Sequence, residues 1–331
     1  MTFLQKMAKN RRGFFSMIIF LLIFLLTLFA EILANDKPII VRFGDRFFFP
    51  LFEKISEVQI GGIFEVEADY RDPEVISLIE KNGWAIFPPI RFSYDTINYK
   101  IDSPAPSKPS AENFLGTDDQ GRDVLARIIY GTRISLIFGI ILAMFSALIG
   151  IFFGAIQGYY GGLVDLFLQR FVEVWSSMPV LFLLIILSSI IEPSFFILLG
   201  LMLLFSWIGM VSFVRAEFLR LRNFDFVRAS IALGSSNFRV IFRHILPNSA
   251  PVIFANLPFL VAGSVTTLTS LDFLGLGLPT GSASLGELLA QGKNNLNAYW
   301  LGISGFVTIT LILTLLVFIG EALRDAFDTR K

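Results

Sequence analysis

Six long apolar stretches, near residues 14–34, 134–158, 165–191, 195–213, 251–271 and 299–320, constrain this chain more than anything else in it. Each approaches the roughly 20 residues a helix needs to cross the hydrocarbon core of a bilayer. A bilayer in turn admits only helices or closed barrels, because no water is present to satisfy free backbone groups. With 54% hydrophobic and 16% charged residues, the chain is too apolar for an ordinary soluble domain. The expected fold class is an all-α polytopic membrane protein with six transmembrane helices. The third stretch is the least regular, with Arg170 and Glu173 in its first turns and Pro179 after Met178. It is expected to start in the interface and kink.

Orientation follows from basic residues in short segments, which collect on the cytoplasmic side. Lys6, Lys9, Arg11 and Arg12 precede the first helix, six arginines lie between Val214 and Ala250, and Arg324, Arg330 and Lys331 close the chain. Six spans put these segments on one side, so both termini are expected in the cytoplasm and Asn35 to Arg133 outside. A cleaved signal peptide is disfavoured by the length of the first apolar run and by Ile32 at a position that wants a small residue. The expected organisation is a cytoplasmic amino terminus and first helix at 1–34, an extracytoplasmic insertion at 35–114, and a five-helix core at 115–331 with a cytoplasmic loop at 214–250. With no cysteine there are no disulfides, thiolate metal sites or cysteine nucleophiles.

Within the insertion, Ile39–Phe43 and Phe47–Leu51 read as strands and Pro73–Lys81 as a helix. Its aromatics include Trp84, Phe87, Phe92, Tyr94 and Tyr99, which either dock a partner or fill the small core of a packed lid. LGTDDQGRDVLARIIYG follows at Leu115–Gly131, a turn punctuated by Gly116 and Gly121. Asp118, Asp119 and Asp123, with Arg122 among them, do not meet the spacing of a calcium loop and suit a helix N-terminus better. No metal site is expected. The outer stretch SLDFLGLGLPTGSASLGELLAQGKNN, from Ser270 to Asn295, contains Asp272, Gly275, Gly277 and Pro279. Glycine-rich backbone at membrane depth must be buried in protein or line a cavity, so this stretch reads as part of a gate or as a re-entrant loop.

The polar run RASIALGSSNFRVIFRHILP, Arg228–Pro247, interrupts the apolar carboxyl-terminal half. Ala229–Leu233 can form a short helix, Gly234 can stop it in the left-handed conformation, and Ser235 or Ser236 can cap a second helix ended by Pro247. Phe238, Ile241, Phe242 and Ile245 make one apolar stripe on that helix, with Arg239, Arg243 and His244 off it. Such a helix suits a protein groove.

Catalytic chemistry is missing. There is no phosphate-binding GxxxxGK[ST] loop, no GxSxG nucleophile turn and a single histidine, His244. The spans are nearly bare of ionisable groups, which disfavours a proton-driven carrier. No catalytic residue is expected, and an energy source must come from a partner. A transporter subunit is one reading. A membrane peptide sensor or scaffold that signals to a cytoplasmic partner is the other.

The run Arg228–Pro247 resembles the EAA loop of permease subunits in ABC importers. Ala229 and Ser230 stand at the two alanines, Gly234 at the glycine and Leu246-Pro247 at the Leu-Pro, while Arg228 replaces the usual Glu. LGTDDQGRDVLARIIYGTRISL and SLDFLGLGLP resemble the dipeptide and oligopeptide permease family. GGIFEVEADYRDP and WAIFPPIRFSYDTINY in the insertion are similar to Yej-type peptide permeases. The resemblance implies a type I ABC importer permease in the bacterial inner membrane, non-catalytic, with ATP and Mg bound by a partner ATPase. It further implies a heterodimer with a second permease subunit, an extracytoplasmic peptide-binding protein, a peptide substrate that can extend to peptide-like antibiotics such as microcin C, and no nucleic acid. ATPase coupling would fall to Arg228, Ala229, Ser230, Gly234, Phe238, Phe242, His244, Leu246 and Pro247.

Overall fold

The computed structural model describes residue 7 and residues 10–101, 103–188 and 190–327. In chain order, helix α1 spans Arg11–Leu28 and the short α2 spans Ala30–Leu33. Strands β1 (Ile40–Phe43) and β2 (Arg46–Phe48), helix α3 (Pro73–Asn82) and strand β3 (Gly83–Ile86) lie in the insertion. Next come α4 (Val124–Tyr160), α5 (Gly162–Ser176), α6 (Val180–Ser188), α7 (Phe195–Ser206), α8 (Ile208–Leu221) and α9 (Asp225–Ala232). Helix α10 (Asn237–Arg239) passes through a π-helical turn at Val240–Ile245 into α11 (Leu246–Phe273), followed by α12 (Leu285–Asn294) and α13 (Tyr299–Phe327).

Among the described residues five helical segments are long and apolar enough to cross a membrane: Arg11–Leu28, Val124–Tyr160, Phe195–Leu221, Asn237–Phe273 and Tyr299–Phe327. The bent pair of α5 and α6 makes a sixth if counted as one span, with a 58° break. Pro179 explains the break, since it has no N–H to give and pushes Met178 out of helical geometry. The Ser176 and Ser177 hydroxyls donate back to the Glu173 and Val174 carbonyls at 3.0 and 2.7 Å, adding to the bonds those carbonyls accept from the Ser177 amide at 3.1 and 3.3 Å. The kink expected from the sequence is there.

Two compact units are formed, Met1–Leu22 with Ser135–Pro279 and Ile309–Lys331, and Ile23–Ile134 with Thr280–Thr308. In the first, α4 and α8 pack through Gly150, Gly154 and Gly158. A Cβ on these glycines would stand 2.8, 2.8 and 2.7 Å from the carbonyl oxygens of Trp207, Val211 and Arg215. Four-residue spacing puts all three on one helix face, and their bare backbone lets the helices approach closely where the hydrophobic effect cannot drive association. Arg215 then donates twice to Asp165, at 2.5 and 2.7 Å, which ties α8 to the first turn of α5.

The second unit contains the insertion. Its antiparallel sheet has the order β2-β1-β3 and lies by α3, whose first turn is capped by Asp72 accepting from the Glu74 amide at 2.9 Å. Val41, Ile55, Ile60, Val75 and Ile79 fill its core with the buried Tyr70. Strand β3 is an addition to the sequence reading, because Trp84-Ala85-Ile86 is too short to announce itself by alternation. The core is chiefly aliphatic; Trp84 and Tyr99 remain exposed rather than filling it.

Candidate functional site

In the Arg228–Pro247 run, α9 begins three residues before Arg228, at Asp225, and ends at Ala232. Gly234 follows at φ +81°, the left-handed geometry that terminates a helix. The Ser236 hydroxyl then accepts from the Arg239 amide at 3.4 Å and caps the next helix. Pro247 does not end that helix. The π-helical turn just before it widens the ladder where the proline ring would press on a carbonyl, so the helix continues from Asn237 to Phe273. The Asn248 side-chain amide donates to the His244 carbonyl at 2.6 Å within the same stretch.

The expected stripe also divides. Ile245 and Val240 are fully buried, with Ile241 packed beside them against Met210, Val214, Phe218 and Val227. Phe238 and Phe242 point outward, 71% and 52% exposed, their rings tilted 35° to each other with centroids 4.4 Å apart. The helix is thus wider than 3.6 residues per turn where the stripe runs, and four positions that an ideal helix aligns come to face two ways. Ser230 is buried, whereas Arg228, Ala229, Gly234 and Pro247 are exposed and His244 and Leu246 half-buried. The segment is anchored by Tyr159, whose hydroxyl donates to Asn237 at 2.8 Å, and by Arg222, which donates to the Gly158 and Tyr159 carbonyls at 3.3 Å. The result is a helix pair anchored on α4, with two exposed phenylalanines among exposed arginines.

The Leu115–Val124 motif is a buried ion network in the second unit. Gly116 and Gly121 adopt positive φ, +77° and +81°, and fold the chain back so that the Asp118 carboxylate accepts from the Arg122 amide at 2.9 Å. Arg122 Nε donates to the same carboxylate at 2.7 Å, and its terminal nitrogen reaches Glu287 at 3.1 Å. Arg127, fully buried on α4, donates to Glu287 at 2.7 Å and to the carbonyls of Ser282 and Tyr94 at 2.9 and 3.1 Å. Asp123 caps α4 by accepting from the Ala126 amide at 2.7 Å, and accepts from Asn113 at 2.8 Å. Burial nevertheless pushes the Asp123 carboxyl above its ordinary pKa, those two bonds acting the other way. Asp119 lies outside the network, exposed, with its pKa raised by partial burial and then by the Asp118 charge. Arg127 and Glu287 are the members that motif reading missed. An arginine inside the apolar run LARII was the available signal.

The Asp272–Pro279 turn belongs to the first unit. Asp272, at the end of α11, accepts from the Leu278 amide at 2.7 Å, and Gly275 turns at φ +75°. Gly277 lies flush on Asp272, leaving no room for a Cβ. Leu276 and Leu278 pack with Phe138, Leu142, Leu268 and Leu271, and Pro279 is exposed. The glycine-rich stretch is thus a closed turn followed by a helix, α12.

Residues 135–331 match the family model described as binding-protein-dependent transport system inner membrane component. The chain is 55% identical over 326 residues to the inner membrane ABC transporter permease protein YejE of Escherichia coli (strain K12), covering 98% of this chain and 96% of that protein. It is 51% identical to the peptidoglycan transport system permease protein YejE of Agrobacterium fabrum, covering 99% and 92% of the two. With the oligopeptide transport system permease protein OppC of Bacillus subtilis the identity is 35%, over 74% and 81%. The MetNI methionine ABC transporter, in an inward-facing form, contains a chain of the same fold, with a TM-score of 0.52 at 16% identity over 61% of this chain and 97% of that one. A membrane-spanning helical chain with this match over its carboxyl-terminal half, and with relatives along its length, belongs to the family of binding-protein-dependent transport system inner membrane components, as a non-catalytic permease subunit of an ABC importer.

Proposed function

We propose that this permease carries peptide, that it pairs with a second, different permease subunit, and that a cytoplasmic ABC ATPase drives it through residues 225–247. Peptide would arrive from an extracytoplasmic binding protein, and ATP and Mg would be held by the ATPase. The observation that carries the coupling role is the outward-facing pair of Phe238 and Phe242 next to the left-handed Gly234. Ile231 and Leu233, 50% and 87% exposed, are further apolar side chains open in the same segment. Paired aromatics of this kind anchor a helix in a partner's groove.

A push on that face is not absorbed locally, because Val240 and Ile245 are buried and the helix runs unbroken into α11. Movement of the ATPase pair would therefore reach the span directly and bias an inward- against an outward-facing arrangement, provided the two states contact the ATPase differently. Basic residues at both termini and in the 214–250 loop support a cytoplasmic position for all three, with residues 35–114 outside. The Leu115–Val124 network and the Asp272–Pro279 turn are assigned to the outer side of the path, as rigid supports of a gate.

Truncating both rings, Phe238→Ala with Phe242→Ala, tests the coupling. Loss of an anchoring aromatic typically weakens an interface by about 2 kcal/mol, so affinity for the ATPase is expected to fall at least ~30-fold. Unchanged co-purification of the ATPase with the double variant would show that these rings are not the anchor.

A further inference from the structure

The insertion encloses a cleft of about 750 Å³ that lies wholly within the second unit. That volume falls in the range of small-molecule sites. Its walls combine three chemistries. Arg91 and Lys100 line it, and neither joins an ion pair with a carboxylate among the described residues. The Arg91 guanidinium rests on the Phe87 ring, 4.6 Å from its centroid, which holds it in place. Asp36 and Glu112 contribute carboxylates, held by Thr96 at 3.2 Å and by Asn98 at 3.5 Å. Phe92 and Phe114 supply apolar surface.

Tyr70 packs into the wall of the cleft. It lines the cleft while only 5% exposed, and its hydroxyl has no hydrogen-bond partner. Burial, and after it the Glu67 charge, push the phenol to a pKa of about 12, so it stays protonated. The hydroxyl oxygen itself is closed off from the cleft, so Tyr70 contributes packed wall and no donor to a ligand.

We infer that this cleft is a binding site for a short zwitterionic peptide, with the carboxylate taken by Arg91 and Lys100, the ammonium by Asp36 and Glu112, and an apolar side chain by the aromatic wall. A neutral saccharide would use the aromatic wall but leave two cations without an anion. An inorganic anion would leave the carboxylates and aromatics unused. This site is separate from the coupling helix, and the inference stands or falls without it.

Calorimetric titration of the full chain in nanodiscs decides the matter, with the tripeptide Ala-Phe-Ala as probe alongside its N-acetylated form, its amidated form and sucrose. Saturable binding is expected for the free-ended peptide, with each capped form at least ~10-fold weaker and sucrose inert, the size of a lost charge-assisted bond. Arg91→Gln with Lys100→Gln, both at exposed positions, should weaken the free-ended peptide ~10-fold and leave the amidated form unaffected. Absence of saturable binding, equal affinity for capped and free peptides, sucrose binding as tight as the tripeptide, or wild-type affinity in the cleft variant would each overturn the inference. The Phe238/Phe242 variant should bind the tripeptide normally, so failure of the coupling reading and failure of this one are distinguishable.

Discussion

Gly234 stands at φ +81° with nothing within 4 Å of the place a Cβ would occupy, so backbone conformation alone demands glycine there. Gly234→Ala should cost the loop about 1 kcal/mol, and Gly234→Val more, through the unfavourable left-handed geometry. Peptide-stimulated ATPase activity of the reconstituted importer should therefore fall in the order glycine, alanine, valine, and normal coupling in Gly234→Val would remove the hinge from the mechanism. Arg127 carries the opposite kind of constraint, a charge enclosed among partners. Arg127→Met leaves Glu287 and Asp118 short of a counter-charge and should lower stability by about 3–5 kcal/mol; a melting temperature equal to wild type would contradict this. Asp119 titrates in a third way. Its folded pKa is raised, so folding disfavours the charged form, and stability is lost as pH rises through the window from the unfolded value upward. Asp119→Asn should be more stable than wild type at neutral pH, with the difference vanishing below the ordinary carboxylate range. Of these residues, Gly234 and Asp119 were legible as part of motifs, because turn and cap chemistry are local. Arg127 was not singled out, since its partners Ser282 and Glu287 are 155 and 160 residues away in sequence.

At the scale of elements, the α4–α8 contact depends on what is missing from Gly150, Gly154 and Gly158. Adding volume at Gly154 presses on the Val211 carbonyl and Val214. Gly154→Ile should destabilise the unit by about 1–3 kcal/mol and shift the α8 end that leads into the coupling helices, whereas Gly154→Ala should have a smaller effect. Thermal unfolding in nanodiscs checks both, and an isoleucine variant as stable as wild type would show that the helices do not pack so closely in the bilayer. The glycines were plain in the sequence as IGIFFGAIQG, but nothing local said which helix they would meet. Pro247 teaches the converse lesson. A proline after His-Ile-Leu ordinarily ends a helix, and only the π-helical turn upstream, a tertiary accommodation, lets the ladder continue.

For the whole molecule, the span pattern and the charge bias together predict a sidedness that can be measured directly. The chain has no cysteine, so single cysteines introduced at the exposed positions Leu233 and Ile63 report without background. An impermeant thiol reagent added to intact cells freed of their outer membrane should label Ile63→Cys and spare Leu233→Cys. The reverse pattern would invert the topology and remove the coupling loop from the ATPase's side. The approximate place of the apolar helices, the kink at Pro179, and the helix-glycine-helix form of the Arg228–Pro247 run were determined by the sequence alone, because bilayer thickness, proline geometry and left-handed backbone act over a few residues. Which face of the coupling helix stays exposed, how Asp118, Arg122, Arg127 and Glu287 share charge, and which walls close the cleft around Tyr70 were decided only by the tertiary structure. Each depends on groups far apart in the chain, whose burial and pairing exist only once the units have packed.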